Sequence, residues 1–180
     1  MPSHRPLAQQ VEQQTHNLLV AGSIPAGPTM PVSPRHKPLL VGESNPYGGD
    51  PHFALYPAPD GCSGHRLCCL ILGMRRADYL RVFSRCNLCD RCTWSMKLAR
   101  HRAVDLAASH ERIVLLGSKV SAAFGLPFIP FSRSSNLLTL PHPSGLCRLW
   151  DLDGAVGRAR SAVAKFAPEI AHLVGAAEEE

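Results

Sequence analysis

Leu39-Leu40-Val41-Gly42-Glu43-Ser44-Asn45-Pro46-Tyr47-Gly48-Gly49 changes character within a few residues. The apolar start is short and gives way abruptly to Gly, Asn, Pro and a Gly pair. That pattern belongs to a buried strand that delivers a rigid polar loop at its carboxyl end. Loops in that position are where open α/β sheets bind ligands. Leu137-Leu138-Thr139-Leu140 repeats the arrangement and runs into Pro141-His142-Pro143-Ser144-Gly145-Leu146. Two prolines there stiffen the chain on either side of one imidazole, and a titratable group held in one place suits catalysis.

Outward from these two strands the pattern alternates. Helices are expected over 66–72 and near 79–83, a short strand at Asn87, a helix from Ser95 to Ala108, a strand over Ile113–Leu116, and helices over Ser118–Phe124 and Gly154–Phe166. Leu98, Val104 and Ala108 are read as the buried side of the 95–108 helix. Val156, Ala159 and Val163 form the inner face of the last helix, with Arg158 and Lys165 outside it. Strand and helix in turn predict an α/β three-layer αβα sandwich around a central, mostly parallel sheet.

The chain has 180 residues, 45% of them hydrophobic, which is enough for one domain with a sizeable core. Its apolar stretches fall short of a bilayer span, and the opening residues lack the pattern of a secretory signal, so the cytoplasm is expected. Residues 1–29 differ from the rest, being Gln-rich and then Gly/Pro-rich. Leu7-Ala8-Gln9-Gln10-Val11-Glu12 with Val20-Ala21-Gly22-Ser23-Ile24-Pro25-Ala26 resembles the peptide obtained when a bacterial tRNA gene region is translated. Met30 is then the expected start, and 30–180 the expected single domain. A net charge of +5 fits an anionic partner. Arg75, Arg76, Arg81, Arg85, Arg91, Lys97, Arg100 and Arg102 form a basic centre, with Arg133 and Arg148 further on.

The two strand-to-loop motifs together resemble the active-site motifs of the uracil-DNA glycosylase superfamily. A third segment, Phe83-Ser84-Arg85-Cys86-Asn87-Leu88-Cys89, resembles the Asn-Leu-Cys stretch of its single-strand-selective branch. Taken singly, Asn-Pro reads as a turn, His-Pro as a surface loop and Asn87 as a cap. Their order, each after a strand-like run, carries the weight, and the resemblance covers about Pro38 to Ile170.

The resemblance implies the same αβα fold and a set of roles. Asn45 positions the attacking water, and His142 donates to the pyrimidine O2 as charge builds there, best as a neutral ring. Asn87 reads the Watson–Crick edge of the flipped base, since an amide offers both donor and acceptor. Tyr47 stands where the superfamily crowds the C5 side of the base, but Gly48-Gly49 replaces the bulky neighbour. Phe53 or Tyr56 is expected to supply an aromatic floor. Ser144 and Gly145 contact DNA with Leu146 as a wedge, and Arg148 is the expected phosphate contact.

The expected activity is monofunctional base excision that leaves an abasic site in DNA, because no lysine stands in either motif to form a Schiff base. The departures at Glu43-Ser44 and Gly48-Gly49 favour a cytosine bulky at C5, as in the glucosylated hydroxymethylcytosine of phage DNA, and hence antiviral defence. Uracil excision in repair and a catalytically silent DNA-binding module are the alternatives. Cys86-x-x-Cys89-x-x-Cys92 has metal-binding spacing, with Cys62, Cys68 or Cys69 as a fourth thiolate. Reduced structural thiols are the expectation instead, with no metal, no cofactor and a monomeric chain.

Overall fold

Five strands make one sheet: β1 (Leu39–Ser44), β2 (Ser84–Cys89), β3 (Ile113–Leu116), β4 (Arg133–Ser134) and β5 (Leu137–Leu140). Their order is β2-β1-β3-β5-β4. The computed structural model describes residues 36–44, 50–90 and 93–176, all within the unit Val32–Glu180. Residues 1–29, Met30, Asn45, Tyr47 and Cys92 therefore lie outside the described residues.

Pairing is parallel from β2 to β5, with Leu40 opposite Arg85 and Val114, and Val114 opposite Leu138. Only β4, a two-residue edge strand, runs antiparallel, against β5. The sequence pattern had no signal for so short a strand, and it marked only Asn87 where all of Ser84–Cys89 is extended.

Strands buried on both faces read as unbroken apolar runs, and Ile113–Leu116 is buried throughout. Side chains alternate between two cores. Leu40, Val114, Leu116 and Leu138 pack on one face against Leu67, Ile71, Tyr79 and Val163. Leu39, Val41, Ile113 and Leu115 pack on the other against Ala99, Ala103 and Val120. The molecule is thus α/β with helices against both faces of a mostly parallel sheet.

The helices are α1 (Ser63–His65), α2 (Arg76–Val82), α3 (Met96–Ser109), α4 (Ser118–Ala123) and α5 (Ala155–Phe166). From Arg66 to Ile71, α1 continues as a π-helix, with the Leu72 N–H donating to the Leu67 carbonyl at 2.9 Å. Ala159 and Val163 face the core as expected, with Val156 half-buried.

The inner face of α3 is corrected. Leu98, Val104 and Ala108 are exposed, whereas Ala99 and Ala103 are buried, with Met96 and Leu106 packed beside them. Residues four apart lie about 40° apart around a helix, whereas residues six apart diverge by about 120°. Leu98 and Val104 therefore never shared a face, and two alanines let α3 approach the sheet closely. Among the described residues no helix is long and apolar enough to cross a membrane.

Candidate active site

The chain visits β2 on one side of β1 and then crosses to β3 on the other. In an open α/β sheet that reversal leaves a crevice beyond the carboxyl ends of the strands. A cavity of about 600 Å³ opens there, walled by Gly42–Ser44 from β1, Asn87 from β2 and the loop after β5. A turn carrying Phe53 and Tyr56 closes the opposite side.

Asn87 is only 7% exposed and stands opposite Gly42 in the parallel register. A side chain at position 42 would collide with the Asn87 amide oxygen, so glycine there is what lets the amide occupy the cavity wall. The amide lines the cavity, and its polar atoms are not among those closed off from solvent without a partner. An amide that faces an open cavity can take up a ligand with complementary donor and acceptor atoms.

His142 leaves β5 between two buried prolines. Its carbonyl accepts from Trp150 Nε1 at 2.8 Å, and its Nδ1 accepts from the Ser144 N–H at 3.2 Å. With Nδ1 as acceptor, the neutral ring carries its proton on Nε2, a donor for whatever fills the cavity. Burial holds the imidazole below its ordinary pKa; Lys119 pushes the same way and Glu43 opposes both. Gly117, at φ +97°, packs beneath the ring, where a Cβ would stand 3.1 Å from that of His142.

The two aromatic candidates both line the cavity, edge to face with centroids 5.6 Å apart. Phe53 is 59% exposed at the rim, while the Arg85 guanidinium lies over the Tyr56 ring at 5.6 Å. Ser144 and Gly145 line the cavity too. Leu146 follows them at 91% exposure, an apolar side chain offered to solvent at a loop tip. Arg148 is also exposed and pairs with Asp151 at 3.2 Å.

Protein families, curated proteins and solved structures were all compared with this chain, and none matches.

Two residues that carried no catalytic or binding role in the sequence reading stand in or beside this cavity. Glu43 is the only acidic side chain among the described lining residues, and its carboxylate accepts from Lys119 at 3.0 Å. Its position one residue past Gly42, at the end of the first strand, was the available signal. Arg66 donates from Nε to the Pro143 carbonyl at 3.0 Å and so holds the His142 loop from the far side. No local pattern marks that contact.

The basic centre is less free than its composition implied. Arg76 pairs with Asp60, Arg81 with Asp78 and Arg102 with Asp90. Arg85 is turned inward, its Nε without a partner and its Nη1 reaching the Ala54 carbonyl at 3.5 Å. Burial pushes the Cys86 thiol up to about 12, and Cys89 is buried in the core. Among the described residues no three His, Cys, Asp or Glu side chains converge on one point.

Proposed function

We propose that this chain is a monofunctional DNA glycosylase with a uracil-DNA glycosylase-like αβα fold, which takes a flipped pyrimidine-type base into the cavity at the strand ends. The observation that carries the reading is the convergence of Asn87, fixed in the sheet with its amide on the cavity wall, and a neutral His142 on one cavity. A pyrimidine offers a carbonyl oxygen at O2 for the His142 Nε2–H and a mixed donor–acceptor edge for Asn87.

In the proposed reaction water attacks the sugar C1′ as the C1′–N1 bond breaks. The bonding electrons leave with the base, and negative charge gathers on O2, where the Nε2–H stabilises it. A neutral donor suits this step because it need not give up its proton. Asn45 is assigned to the water by resemblance. Glu43, in the cavity wall and tethered by Lys119, provides a carboxylate to accept the water's proton and to offset positive charge on the sugar. No lysine occurs among the described lining residues, in keeping with hydrolysis without a Schiff base.

An amide can turn over to match either cytosine or uracil, so Asn87 does not choose between them. The departures at Glu43-Ser44 and Gly48-Gly49 favour the bulkier base, and a cavity of about 600 Å³ that opens to solvent has room for it. We therefore take cytosine bulky at C5, as in phage DNA, as the preferred substrate and antiviral defence as the role. Incubating the chain with DNA carrying glucosylated hydroxymethylcytosine and with uracil-containing DNA, then cleaving with alkali, tests this. Strand breaks in the first alone are expected. Breaks in the uracil DNA alone would make it a repair enzyme, and breaks in neither would remove the glycosylase reading.

A further inference from the structure

We propose that Arg66 binds a DNA backbone phosphate beside the flipped nucleotide, while the same guanidinium braces the His142 loop; this rests on the DNA glycosylase reading above. Arg76, Arg81, Arg102, Arg112 and Arg148 each face a carboxylate. Arg66 does not: among the described residues its one side-chain hydrogen bond runs from Nε to the Pro143 carbonyl at 3.0 Å. That bond fixes the guanidinium in place and leaves both Nη groups as donors.

The place is informative. The Arg66 guanidinium lies beside Gly145, 3.9 Å from where a Cβ would stand, and the arginine is half-buried. Ser144 and Gly145 line the base cavity, and Leu146 beyond them projects into solvent at 91% exposure. A nucleotide turned out of the stack spans that gap, with its base in the cavity and its neighbours near the apolar tip, so its phosphate passes over this stretch of loop. A planar cation with two free donor edges, immobilised there, meets phosphate geometry without further ordering cost.

Arg66 is thus a positioning residue with a phosphate ligand of its own. The test compares Arg66→Gln and Arg66→Lys in the full chain, measuring affinity for a fluorescein-labelled single-stranded oligonucleotide across a range of salt concentrations. Losing one phosphate contact should make the slope of log affinity against log salt shallower by about 0.7 in the glutamine variant, while lysine keeps the wild-type slope. Arg66→Met retains an unbranched aliphatic stem and replaces the glutamine variant if that one fails to fold. An unchanged slope in the neutral variant, with wild type binding and excising, would overturn the phosphate role and leave the glycosylase reading standing. Lower turnover at an unchanged slope would reduce Arg66 to a brace. A wild-type chain that binds no DNA would overturn both.

Discussion

The floor of the cavity and the arginine-rich surface were both conspicuous in the sequence, and the fold treats them in opposite ways. Asn87 and His142 are held by backbone: one by its place in a parallel ladder over a glycine, the other by flanking prolines and two loop hydrogen bonds. Each keeps a polar group free for a ligand. Arg76, Arg81 and Arg102 stand on long flexible stems at the surface, and each has found an aspartate. Net charge counts cations without regard to their partners. A strand-end motif counts only what the backbone has already fixed.

That contrast breaks most sharply at His142. His142→Ala should lower turnover about 10²- to 10³-fold, as expected for removing a donor to a developing oxyanion, with DNA affinity little changed. Asn87→Ala should come next, through poorer capture of the base, read as a higher KM together with lower kcat. Gly42→Ala tests the same amide without touching it. The new methyl must displace Asn87, so turnover should fall with that of Asn87→Ala, alongside a loss of about 1–3 kcal/mol in stability by denaturant unfolding. Normal turnover in Gly42→Ala would separate Asn87 from the chemistry.

The pH profile sharpens the comparison from another side. Burial holds His142 below the ordinary imidazole range, so the ring stays neutral until the solution is distinctly acid. Turnover should be flat at neutral pH and fall on acidification, with a midpoint below the usual histidine value. Stability carries the same sign: the unfolded chain takes up this proton first, so the contribution is complete above the ordinary value and shrinks as pH drops through it. A midpoint above the usual value would refute the neutral-donor role.

Smaller effects are expected outside the cavity. Leu146→Ala should reduce excision from duplex DNA several-fold and leave single-stranded substrate nearly untouched, because only the duplex has a stack to fill. Arg81→Gln should change stability by less than about 1 kcal/mol and turnover not at all, as an exposed i,i+3 pair would.

Much of the sheet was legible because its strands are short apolar runs that end in Gly, Asn or Pro. Ile113–Leu116 and Leu137–Leu140 fall where the pattern put them. The face of α3 was misread because Leu98 and Val104 look like core residues, whereas Ala99 and Ala103, with Met96 and Leu106 beside them, do the packing. The lining of the candidate cavity was legible where a motif is local, as at Asn87 and in the Pro141–Leu146 loop. It was hidden where the chain closes over long distances: Glu43 meets Lys119 76 residues away, and Arg66 meets Pro143 77 residues away. Such pairings follow from topology, and no window of sequence contains both partners.

The most direct measurement is alkali-sensitive strand breakage of DNA carrying glucosylated hydroxymethylcytosine, comparing the wild-type chain with His142→Ala and Asn87→Ala. Abundant breaks with the wild type and few with either variant are predicted. Equal breakage by all three proteins would contradict the account.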